Sequence, residues 1–304
     1  MSHPATLCLS ATLLWGACLT ACNSAPSSGS AGSESDSAAV TAAAPASSPE
    51  KKWETDTVVR APESVLWDAG EGIFYVSDIN GDGSARDGNG FISKVSPDGT
   101  VKQLHWADGL DAPKGLGMYK DEVYAADLSQ LVILDKKSGK IKKKLTLPGA
   151  TFLNDIAVDD EGNVYVSDTR QGKIYRYRDG KAEVFLGGDE VKGANGLLAE
   201  KGSLWMLTAA GISRYDFSTK KTSLFSDAVK NGDGITRVND SDLIVSQWKG
   251  LVYYVKADGT ANQILDLQAE HKNTADLFFL PEQQLLVIPT FTGNTVAAYT
   301  VSAP

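Results

Sequence analysis

Six positions along the chain combine a residue able to do chemistry with the same local context, standing just ahead of a short apolar stretch. Glu63 precedes SVLW, Asn154 precedes DIAV, Asn195 precedes GLLA, Asp233 precedes GITRV, and Asp276 precedes LFFL. Lys114 stands in the corresponding place ahead of GLGM. From Asn154 onward the steps are 41, 38 and 43 residues (154 to 195, 195 to 233, 233 to 276). Oxygen-bearing side chains brought together by such a repeat would suit a hard divalent cation. Ca²⁺ takes six to eight oxygen ligands in irregular geometry. No His or Cys shares this phase, which disfavours zinc or copper. Taken singly, Asn-Gly and Asp-Gly are common turn dipeptides, so the repeated phase carries the reading rather than any one pair.

The elements that must position these residues are short strands. In residues 153–169, LNDIAVDDEGNVYVSDT, apolar residues alternate on either side of an Asp-Asp-Glu-Gly-Asn turn, the period-2 signature of half-buried strands. The same pattern of polar residue, strand, turn and strand recurs. Residues 53–304 number 252, or six units of about 42, a repeat length that points to an all-β, six-bladed β-propeller. The last unit runs out of chain after its third strand. Residues 53–60, WETDTVVR, are expected to supply the missing outer strand and close the ring.

In that order and spacing, Pro62-Glu63-Ser64-Val65-Leu66-Trp67, Asn154-Asp155, Asn195-Gly196-Leu197 and Asp233-Gly234-Ile235 resemble the SMP-30/gluconolactonase/LRE-like superfamily over about residues 53–301. The resemblance implies a catalytic divalent cation held by Glu63, Asn195 and Asp233. It places Asn154 beside the metal or the substrate and makes Asp233 the general base as well. Two residues depart from the pattern of sugar lactonases. Lys114 would bring a positive charge to the same mouth, either paired with Asp276 across the channel or binding a substrate carboxylate or developing oxyanion. Asp276 adds an acid, read as a substrate-binding group. A metal-dependent hydrolase of a lactone or related ester is therefore expected, with a small-molecule substrate and Ca²⁺ or another divalent cation. The competing reading is a non-catalytic propeller that binds a ligand or protein partner around a structural ion, because a fold alone does not choose between them.

A second ion site is suggested by Asp78-Ile79-Asn80-Gly81-Asp82-Gly83, the first half of a calcium loop. Asn89 stands where its bidentate Glu belongs, so a Gly-rich lid beside the mouth is the alternative. No G-x-S-x-G, H-E-x-x-H or Walker pattern is present. His105 and His271 fall outside the repeated phase.

The chain of 304 residues is 42% hydrophobic with a formal charge of −9 and a pI near 4.9. That balance argues against a nucleic-acid partner. The basic run at Lys136-Lys137 and Lys142-Lys143-Lys144 reads as a solvated turn and edge. Residues 1–22 resemble a bacterial lipoprotein signal: an apolar stretch ends in Leu19-Thr20-Ala21-Cys22, although only His3, and no Lys or Arg, precedes it. Cys22 would be lipidated. With Cys8 and Cys18 in the removed segment, no disulfide or Cys metal site would remain. Residues 23–52, rich in Ser, Ala, Gly and Pro, are expected to form a disordered tether reaching roughly 30 Å. A lipid-anchored monomer in the bacterial envelope follows. Asn23 favours the outer membrane, with the propeller facing the periplasm.

Overall fold

The computed structural model describes residues 49–302. The signal-like segment, Cys22 and nearly all of the expected tether lie outside the described residues. Six four-stranded antiparallel sheets form in chain order, the blades of a propeller. The inner strands are Pro62–Asp68, Pro113–Tyr119, Leu153–Val158, Leu197–Glu200, Ile235–Arg237 and Phe278–Leu280. Each blade is too thin to bury its own faces, so the core is a ring of apolar layers between neighbours. Tyr75, Ile92 and Leu110 of blade one meet Leu116, Val123 and Leu134 of blade two. Equivalent layers follow around the circle to the one joining blade six to blade one through Leu285, Val287, Phe74 and Val76. Among the described residues, no helix is long and apolar enough to cross a membrane.

The ring closes as expected: strand Glu50–Glu54 pairs antiparallel with Val296–Thr300 of blade six. It begins three residues before Trp53 and ends at Glu54, so residues 55–60 lead across to blade one instead of extending the strand. An outer strand faces solvent, so Glu50, Lys51 and Lys52 suit it, although their composition reads as tether. Trp53 joins the two ends of the ring. Its Nε1 donates to the Pro97 carbonyl at 2.7 Å, and its ring lies so close to Gly99 that a Cβ there would sit 2.7 Å from it. Gly99 also holds φ at 85°, a second reason for glycine at that turn.

Strand ends aim the inner strands at the axis. The second strands of blades one, two and three end in Asp78, Asp127 and Asp168, all fully buried. Each carboxylate accepts N–H groups from the segment entering its own blade: Arg60 for Asp78, Asp111 and Ala112 for Asp127, Thr151 for Asp168. Asp78 therefore points into the blade, where Ser93 Oγ also donates to it at 2.6 Å. It is not a ligand of the following loop, which corrects the calcium-loop expectation. Asp82 and Asp87 instead cap backbone N–H groups within that loop.

Candidate active site at the channel mouth

In blades one, two and three the pairing of the inner strand shifts register between Pro62 and Ser64, Pro113 and Leu116, and Leu153 and Ile156. Glu63, Lys114 and Asn154 fall at these irregularities. A bulge re-aims a side chain out of the regular alternation, and these three face the channel mouth. In blades four and five the equivalents, Asn195 and Asp233, come just before the strand. There the backbone still pairs: Asn195 N donates to Leu207 O and Asp233 N to Ser246 O. All five line one cavity of about 270 Å³ at the mouth. Its apolar walls are Ile79, Phe152, Trp248 and Phe291, with Gly83 and Ser84 from the blade-one insertion. That insertion therefore borders the site, as the lid alternative expects.

Asp276 does not join the five. Ala275 holds the mouth position of blade six, where its N donates to Pro289 O, and Asp276 lies one residue deeper. The deeper tier runs Ser64, Gly115, Asp155, Gly196, Gly234, Asp276. Its glycines are demanded by close approach of adjacent inner strands, not by turns. A Cβ on Gly196 would lie 2.2 Å from Asp233 O, and one on Gly234 2.7 Å from the Asp276 Cα. Asp155 and Asp276 thus face the lower channel beneath the mouth. Asp155 accepts the Leu197 and Ile156 N–H groups, and Asp276 accepts Ser64 Oγ and the Leu277 N–H. Asp155 escaped the sequence reading as a channel acid. Counting each element from its preceding residue would have put Asp276 in the phase of Asp155.

The expected Lys114–Asp276 ion pair is replaced by other partners. Lys114, 3% exposed, donates to Gly83 O and Ala112 O at 3.0 and 3.1 Å and sits 4.6 Å from the centre of the Phe152 ring. Burial pushes its pKa down, against the pull of Glu63 and Asp127.

The carboxylates are crowded. Burial, then the Asp233 charge, raises Glu63 well above the usual carboxylate range, with Lys114 opposing. Burial and Asp276 raise Asp233 to about 7, and burial raises Asp276 to about 6. Burial and Asp276 also push Asp155 well up. Four acids near one axis against one ammonium leave charge that protons or a cation must neutralise.

The donor set suits a hard cation. Glu63 is 5% exposed, and its carboxylate accepts no hydrogen bond from a described residue. Asn154 turns its Nδ2 to Thr169 Oγ1 (3.1 Å), and Asn195 turns its Nδ2 to Asp233 Oδ1 (3.0 Å). This leaves the Oδ1 atoms of both amides without a donor among the described residues. Among those residues no three Asp, Glu, His or Cys side chains gather closely enough to hold a metal by themselves. A cation here would therefore need the two amide oxygens beside the Glu63 and Asp233 carboxylates, which is chemistry that Ca²⁺ accepts. Three larger clefts, about 440, 430 and 420 Å³, lie between blades three and four, between two and three, and along blade three. They are lined by charged residues and, in the first two, aromatic rings, without a comparable buried set.

No family model matches the chain, and no curated protein matches it. Solved structures do. A streptogramin B lyase is 14% identical, with 84% of this chain and 97% of that one covered and a TM-score of 0.62. A catalytically inactive virginiamycin B lyase from Staphylococcus aureus, solved with quinupristin, is 14% identical over 84% and 99%, at 0.58. The extracellular domain of a one-component system from B. thetaiotaomicron is 16% identical over 80% of this chain and 33% of that one, at 0.54. At these identities the likeness shows the propeller fold alone. The inactive lyase carries a His-to-Ala change. Here His105 and His271 are both exposed, and neither lines the mouth cavity.

Proposed function

We propose that this propeller is a divalent-cation-dependent hydrolase of a lactone or related ester, working at the channel mouth. The observation that carries the reading is Glu63: a buried carboxylate without a hydrogen-bond donor among the described residues, lining one cavity with Asn154, Asn195 and Asp233 from three other blades. The superfamily resemblance of these residues supports it. A bound Ca²⁺ would act as a Lewis acid on the substrate carbonyl and stabilise the oxyanion.

The chain's own groups supply the rest. Asp233, steadied by Asn195 Nδ2, takes a proton from the attacking water as a new C–O bond forms. It returns that proton to the leaving oxygen when the ester C–O bond breaks. Lys114 presents its ammonium to the cavity and adds positive charge where the oxyanion develops. Asn154 would lend its Oδ1 to the cation beside the bound substrate. Phe152, Trp248 and Phe291 exclude water from the apolar side. Asp276, which lies in the deeper tier, contributes charge beneath the substrate more readily than contact with it.

Trp248, 40% exposed and packed edge-on against Phe291 at 4.6 Å, favours one second reading. An aromatic pair at an open rim also suits a tethered module that only binds. A panel of lactones and aryl acetates, assayed with calcium and with chelator, separates the two. Calcium-restored turnover supports the hydrolase, and binding without turnover of any member supports the module. Lipidation at Cys22, an envelope location and a monomeric state are part of the same proposal.

A further inference from the structure

Beside the acidic donors, the cavity also carries positive charge that no described acid neutralises by contact. The Phe152 ring, a cavity wall, has two cations close to it: Lys114 Nζ at 4.6 Å and the Arg170 guanidinium carbon at 4.1 Å from its centre. Arg170 also reaches a second lining residue, donating from Nη2 to Ser84 Oγ at 3.4 Å. Among the described residues, no carboxylate lies within ion-pair distance of either cation. Arg86, Arg176, Arg178 and Arg237 each have one, whereas Arg60 and Arg214, which do not line the cavity, have none among the described residues. Lys114 spends two N–H groups on carbonyls, and Arg170 spends one of its five donors on a long bond.

A guanidinium with free donors, held flat by an aromatic face beside a cavity, matches the planar fork of a carboxylate. We propose that Arg170, with Lys114 also beside the Phe152 ring, reads a carboxylate on the ligand, so that the substrate is an anionic ester or lactone with an apolar body against Trp248 and Phe291. This rests on the mouth being the working site. It assigns to Arg170 a specificity role, separate from the reacting atoms.

Benzoate and its neutral counterpart benzamide, neither of which can be hydrolysed as an ester, test the arm by calorimetric titration of the full protein in chelator and in calcium. In chelator, benzoate should bind at least about tenfold more tightly than benzamide, the size of one charge-assisted hydrogen bond. Arg170→Gln should remove that preference while leaving benzamide unchanged, and Arg170→Lys should keep part of it. Arg170 is exposed, so neither change threatens folding. Equal binding of the two probes overturns the proposal, as does a preference that survives Arg170→Gln. A preference seen only with calcium also overturns it, because the ion would then be reading the carboxylate. Benzoate held through Arg170 in a protein that turns over no ester would leave the arm standing and remove the hydrolase.

Discussion

Glu63 and Asp233 line the same mouth cavity but are expected to fail differently when altered. Glu63→Gln removes a charge from the cation site and should weaken calcium binding by at least about tenfold, with turnover restored at high calcium. Asp233→Asn keeps an oxygen in place and removes the proposed base. Turnover should fall by about a hundredfold or more under saturating calcium, and ester hydrolysis assays that leave it within a few-fold of wild type would exclude Asp233 as base.

A different buried acid reports on the fold. Burial raises Asp78 to about 7, against the opposing hydrogen bonds from Ser93 and Arg60. Ser93 Oγ lies 2.6 Å from Asp78 Oδ2 and 2.8 Å from Leu104 O, with one hydroxyl proton for two acceptors. A protonated Asp78 resolves this by donating to Ser93, which then donates to Leu104. The folded state therefore keeps a proton that the unfolded chain loses near pH 4. Its contribution is full below that pH and is lost as pH rises toward 7, on the order of a few kcal/mol. Asp78→Asn mimics the protonated form. Thermal melts should show it flattening the pH dependence and matching or exceeding wild-type stability at pH 8. A parallel pH dependence in both proteins would contradict this.

At the scale of elements, ring closure makes its own prediction. A chain beginning at Ala61 lacks strand Glu50–Glu54 and with it the Trp53 contacts to blade one. It should melt roughly 10 °C below a chain beginning at Pro49, and equal midpoints would place closure elsewhere. The blades themselves were legible in the sequence because half-buried strands alternate with period 2 and their turns carry Gly, Asn and Asp. What was not legible depends on single-residue register. Asp276 and Asp155 share a tier because a shift of one position along an inner strand exchanges mouth for channel, and apolar patterning does not resolve that step beside a bulge. The closing strand was displaced because a solvent-facing outer strand has a linker's composition. Asp78 was misread because a strand-end acid serving backbone N–H groups has the same one-letter pattern as a calcium ligand. Phe152, Trp248 and Phe291 carry no local signature at all, since the loops that bear them meet only once six blades have closed.

Across the whole molecule, the ring brings together donors 38 or more residues apart, and a cation held by four blades would couple those blades to one another. The proposed attachment at Cys22 is tested separately. Palmitate labelling should mark the wild-type chain and not Cys22→Ser, whereas equal labelling of both would remove Cys22 as the anchor. The proposed calcium-like ion sits at one mouth of this channel, held by Glu63, Asn154, Asn195 and Asp233. Titration of metal-free protein with calcium, followed by calorimetry and by melting temperature, tests it most directly. One ion per chain should bind and raise the midpoint as calcium exceeds its dissociation constant, with the affinity lowered in Glu63→Gln. No calcium uptake by wild-type protein, or uptake unchanged in Glu63→Gln, would contradict the account.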